Sequence, residues 1–126
     1  MKIADSSYLT EGILRDARLL ENEVLVSPDL ALYEVVNTLW KHEALIGDLD
    51  DAQQRIELLS GLVSARRVQL VRPDRKLLDQ AYALSIKHRL PIYDSIFVAL
   101  ALELKIELAT FDAKQSKILT DEKRRF

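Results

Sequence analysis

The sequence predicts a single α/β domain, spanning residues 1–126, with a central parallel sheet flanked by helices. Three observations carry this. Short apolar segments of strand composition alternate with longer segments of helical periodicity, as expected of a parallel sheet whose strands are joined by helical crossovers. The chain has 126 residues, enough for one compact core and too few for two. Its 48% hydrophobic and 30% charged content is that of an ordinary globular chain; a disordered one would be poorer in Leu, Ile and Val.

The elements follow in order. Lys2 to Ala4 is a short apolar segment that ends at Asp5. Ser6 to Arg15 fits a helix, with Leu9, Ile13 and Leu14 near helical spacing. Glu23 to Val26 has strand composition. Ser27 followed by Pro28 reads as an N-cap and a first-turn proline. The helix they open should run to about Ala44 and stop at Gly47. Its apolar stripe is Leu32, Val35, Val36, Leu39 and Trp40, with Glu34, Asn37, Thr38 and Lys41 on the opposite face. Trp40 on that stripe is expected in the core or at a dimer contact.

A second helix is expected from Asp48 or Asp51 to about Ala65, with Ile56, Leu59 and Val63 inward. Val68 to Val71 is a strand, and Pro73-Asp74 a stop followed by a new helix start. That helix, Arg75 to Lys87, is expected to bury Leu78, Ala81, Tyr82 and Ile86. After Pro91 a helix from Tyr93 to about Leu104 is apolar on every side between Ile96 and Leu102, so it should be buried all round. Ile106 to Thr110 reads as a strand, and Asp112 opens a last helix through Ile118 and Leu119. The charged tail from Asp121 to Phe126 is expected to fray.

Composition narrows the function. The chain has no cysteine, which excludes disulfides, thiolate metal sites and cysteine nucleophiles and fits a cytoplasmic address. No apolar run approaches the roughly 18 residues that span a bilayer, and the N-terminus has no basic region followed by an apolar stretch, so neither a membrane segment nor a signal peptide is expected. Net charge is -2. Any nucleic-acid substrate would therefore be held by local basic patches and metal ions rather than by a broadly basic surface.

In a parallel sheet, sites form beyond the carboxyl ends of the strands, near the point where strand order reverses. Asp5 and Asp112 each follow a predicted strand, and Asp94 falls in the first turn of the buried helix. Singly, each has an ordinary explanation as a helix cap or first-turn residue, worth about 1 kcal/mol. Glu34 on a polar helix face is, by itself, a solvated carboxylate.

The contexts of these four acids match a family. The chain resembles the PIN-domain nucleases, and within them the small VapC-like toxins of toxin–antitoxin pairs. Ile3-Ala4-Asp5-Ser6-Ser7 is similar to the family's opening strand, which ends in Asp then Ser or Thr. Leu32-Tyr33-Glu34-Val35-Val36-Asn37 resembles its helical Glu motif. The run from Pro91 through Asp94 to Ala101 resembles its third, an Asp opening a buried Ala-rich helix, and Leu108-Ala109-Thr110-Phe111-Asp112 its fourth, a strand ending Thr-x-Asp. The family's sheet implies four or five strands; no apolar strand is evident after Leu119, so the fifth is expected to be short or missing.

The resemblance implies a catalytic, metal-binding site of Asp5, Asp94 and Asp112, with Glu34 a ligand directly or through water, and Ser6 and Thr110 as hydroxyls that orient the carboxylates. An oxygen-only donor set suits Mg²⁺, with Mn²⁺ as the other candidate. It also implies an RNA substrate, a small antitoxin partner and a homodimer. Housekeeping RNA processing and a PIN-like scaffold that binds without cutting are the competing functions. Arg15, Lys41, Arg89, Lys114 and Lys117 lie close enough to the motifs to meet phosphates, although solvated helix faces are their ordinary role. Arg66-Arg67 and Lys123-Arg124-Arg125 are denser but more remote. His42 and His88 read as surface residues, and Tyr93 as packing.

Overall fold

The computed structural model describes residues 1–124. The elements are β1 (Lys2–Ala4), α1 (Ser6–Leu14), β2 (Leu25–Pro28), α2 (Leu30–Trp40), α3 (Ala52–Ser64), β3 (Val68–Val71), α4 (Arg75–His88), α5 (Ile92–Leu104), β4 (Leu108–Ala109) and α6 (Ala113–Lys123). The sheet has four strands in the order β3-β2-β1-β4, all parallel. The chain steps outward from β1 to β2 to β3, then crosses back to place β4 on the other side of β1. The reversal therefore falls between β1 and β4, where a crevice opens beyond the strand ends. No fifth strand is present among the described residues.

The core forms where apolar faces meet this sheet. Ile3, Leu9, Leu25, Val35, Leu39, Val68, Leu77 and Phe97 are all buried. The all-round apolar segment of α5 behaves as its composition requires: every residue from Ser95 to Ala101 is buried. No helix among the described residues is long and apolar enough to cross a membrane.

Several sequence expectations shift. Ser27 and Pro28 are the last residues of β2 rather than the start of a helix. Ser27 Oγ donates to the carbonyl of Ala4 at 2.7 Å, and the Asp29 N–H continues the pairing to the Val71 carbonyl at 3.0 Å. A buried sheet partner outcompetes the capping role. α2 begins at Leu30, and Trp40 at its end is 52% exposed rather than inward. The chain then widens through one π turn, Lys41–Ile46, closed by Gly47 at φ 80°, a left-handed conformation that glycine adopts without strain.

In α4 the buried set is Leu77, Ala81 and Leu84, whereas Leu78, Tyr82 and Ile86 are exposed. Two adjacent leucines can each start a helical stripe, and packing on α5 selects the first. β4 is shorter than Ile106 to Thr110. The charged tail does not fray from Asp121: α6 runs to Lys123, and Glu122 is buried, its Oε1 accepting from Lys87 Nζ and His88 Nε2, each at 2.6 Å. Arg125 and Phe126 lie outside the described residues. His88 is thus a bridge between α4 and α6, and His42 likewise meets Asp48 at 2.8 Å. Tyr93, read as packing, is 59% exposed.

Candidate metal centre

Asp5 caps α1 directly after β1, Asp112 caps α6 just beyond β4, and Asp94 lies in the first turn of α5. Three helix N-termini therefore converge at the β1/β4 crevice. Their unpaired N–H groups and dipoles favour negative charge, which makes a cluster of acids tolerable there. Glu34 enters from the middle of α2.

Asp5 is almost completely buried, with 1% exposure, and every contact it makes holds the carboxylate in one orientation. Its Oδ1 accepts from Ser7 Oγ at 2.7 Å and from the Tyr8 N–H at 3.0 Å; its Oδ2 accepts from Thr110 Oγ1 at 2.5 Å. Thr110 Oγ1 in turn accepts the Asp112 N–H at 2.8 Å, so one hydroxyl ties the first acid to the backbone of the last. Ser6 Oγ donates to Glu34 Oε1 at 2.6 Å. Ser6 and Thr110 thus each bond one of the carboxylates.

The acids feel one another. Burial pushes the Glu34 carboxyl above the ordinary range, the Ser6 hydroxyl draws it back, and the charges of Asp94 and Asp5 raise it further. Burial also raises Asp94, as do the charges of Asp112 and Asp5, while the Gln115 amide and Lys114 oppose the shift. A group of like charges in partial burial takes up protons or a cation. Among the described residues no three acidic or histidine side chains stand close enough to grip one ion between them.

Two contributors were not singled out from the sequence. Ser7 donates to Asp5 and accepts the Phe111 N–H at 3.0 Å; its signal was the repeated serine of Asp5-Ser6-Ser7. Gln115 is buried, stands beside Asp94, and leaves its Oε1 without a partner. Asp112-Ala113-Lys114-Gln115 has the spacing of a capping box, which marks the position, although the amide serves Asp94 instead. Of the candidate cations, Lys114 is near enough to influence Asp94, Lys41 lines a groove beside Glu34, and Arg15 is held by Glu11 at 2.8 Å. A larger hollow of about 740 Å³ between α4, α5 and α6 holds none of the four acids.

A parallel four-stranded domain with acids gathered at its point of strand reversal defines a class, and the sequence assigns it: residues 7–119 match the PIN domain, and the chain belongs to that family. It is similar to Ribonuclease VapC3 of Pyrobaculum aerophilum, with 38% identity over 86 residues, covering 67% of this chain and 63% of that protein. The aligned region is thus less than two thirds of the relative's length. In three dimensions it is similar to VapC20 of Mycobacterium tuberculosis, a toxin that cleaves the sarcin-ricin loop, with a TM-score of 0.70 and 16% identity over 93% of this chain and 94% of the other. That likeness is one of fold.

Proposed function

We propose that this protein is a metal-dependent endoribonuclease, the toxin of a type II toxin–antitoxin pair, and that Asp5, Glu34, Asp94 and Asp112 form its catalytic site. The observation that carries the reading is the convergence of the four carboxylates at the β1/β4 crevice, with Glu34 and Asp94 both raised by burial and by neighbouring acids. The name of the 38% identical relative, a ribonuclease, supports the same activity.

Asp5, Asp94 and Asp112 would hold Mg²⁺, or Mn²⁺ in its place, one or two of them directly and the rest through waters the ion retains, with Glu34 bound directly or through water. When bound there, such an ion would supply a water of lowered pKa and charge stabilisation at the phosphate. The protein's own groups do the rest. Ser7, Tyr8 N–H and Thr110 fix the Asp5 oxygens, and Ser6 fixes Glu34, so that the carboxylates do not reorganise as charge builds. Lys114, near Asp94, and Lys41, in the groove beside Glu34, offer cations for RNA phosphates. An antitoxin that places a basic side chain among the acids would compete with the metal. A homodimer working in the cytoplasm completes the reading.

The test is cleavage of single-stranded RNA with Mg²⁺ or Mn²⁺, comparing the wild type with Asp94→Asn. The substitution nearly preserves shape and removes one charge. Loss of cleavage in the variant is expected; equal activity overturns the site assignment.

A further inference from the structure

A groove of about 420 Å³ runs from the carboxylate site between α1 and α2. It is lined by Ser6, Ser7, Glu34, Asn37, Lys41 and Phe111, among others. Phe111 is 61% exposed, yet nothing about it is loose. Its N–H is held by Ser7 Oγ, and its ring stacks on Tyr8 with centroids 5.8 Å apart and planes 15° from parallel. Tyr8 is itself anchored by its hydroxyl to the Leu19 carbonyl at 2.9 Å. An apolar ring is thus kept rigid and exposed directly beside Asp112.

Single exposed aromatics are common and need no role. This one differs because two further layers of contacts fix it at the mouth of a polar groove that leads to Glu34. The groove also offers what a nucleotide needs: the Asn37 amide can pair with a base edge, and the Lys41 ammonium can meet a phosphate. Of its two acids, Glu11 is neutralised by Arg15 at 2.8 Å and Glu34 belongs to the carboxylate site.

We infer that this groove is a nucleotide subsite, in which Phe111 stacks an unpaired RNA base, Asn37 reads its edge and Lys41 holds an adjoining phosphate. A base in a duplex is stacked on both sides and cannot use the platform, so the subsite selects single-stranded or looped RNA. The inference rests on the ribonuclease reading but is measured apart from it.

The probe is a fluorescently labelled unstructured RNA hexamer of mixed sequence, and the readout is its Kd by anisotropy with EDTA and no divalent ion, so that no cleavage step enters. A blunt duplex of the same sequence is the control. The wild type is expected to bind the single strand more tightly than the duplex, Phe111→Ala to weaken single-strand binding roughly tenfold, and Phe111→Trp to restore it. Lys41→Ala is expected to weaken both RNAs and to flatten the salt dependence of binding. Thermal melts of each variant separate lost binding from lost folding, and should Phe111→Ala fail to fold, Asn37→Ala and the Trp variant carry the comparison. Equal single-strand affinity in the wild type, Phe111→Ala and Asn37→Ala overturns the inference and leaves the groove to a protein partner. Failed cleavage with intact Phe111-dependent binding would instead count against the nuclease reading alone.

Discussion

Thr110 Oγ1 donates to Asp5 Oδ2 at 2.5 Å and accepts the Asp112 N–H at 2.8 Å, so a single hydroxyl registers the end of β1 against the start of α6. Thr110→Val keeps the shape, frees one oxygen of a buried carboxylate and orphans an N–H. The expected result is a roughly tenfold to hundredfold loss in RNA cleavage and a stability loss of about 1–3 kcal/mol. Thr110→Ser, which retains the hydroxyl, should recover most of both. Cleavage rates against metal concentration, with thermal melts alongside, measure the two effects.

Glu34 and Asp94 are raised in the folded protein. A raised carboxyl contributes stability that is fully present below its unfolded pKa and is lost as pH rises through the folded value. Without divalent ions, the wild type should therefore lose part of its stability as pH climbs out of the acid range towards neutrality. Glu34→Gln and Asp94→Asn should flatten that decline and melt higher than the wild type at neutral pH. Mg²⁺ should raise the wild-type Tm more than that of either variant. Melting curves across pH, with EDTA and then with Mg²⁺, check both statements.

Gln115 is buried with an unpaired Oε1 while its amide favours ionised Asp94. Replacing it with Met removes a buried polar group that costs about 1–3 kcal/mol when unsatisfied. Gln115→Met should thus be more stable yet cleave RNA more slowly, a pairing that a purely structural residue would not give. Denaturant midpoints and single-turnover rates on the same preparations decide it.

The Lys87 ammonium, and after it His88, lower the Glu122 carboxyl from its ordinary value. A depressed carboxyl contributes stability present above its unfolded pKa and lost as pH falls through the folded value. Glu122→Gln should destabilise the protein by about 1–2 kcal/mol at neutral pH, with the difference from the wild type closing in acid. Urea titrations at two pH values test this.

The fold class, β1 and β3 at their observed bounds and the buried α5 were legible from composition and period alone, whereas β2 lies two residues later than expected. So were the positions of Asp5, Asp94 and Asp112 at strand ends and helix starts. Glu34 was not: a carboxylate on a polar helix face carries no local mark, and only the resemblance singled it out. The misreadings have physical causes. Ser27-Pro28 suits a helix start locally, but the bond from Ser27 Oγ to the Ala4 carbonyl exists only once the sheet is built. Leu77 and Leu78 permit two phases of α4, and the choice belongs to its packing partner. His88 and Glu122 are 34 residues apart, so their contact is a product of topology.

The uninterrupted burial of α5 from Ser95 to Ala101 fixes more than the core. A helix gripped on every side has no free face about which to turn, so Asp94 at its head inherits the rigidity of the whole interior. In the proposed subsite, adjustments to what is recognised fall to the rim, where Phe111, Asn37 and Lys41 are exposed. On the proposed reading, the acids that would bind the ion are set by the interior, and the groups that would choose the substrate are set by the rim.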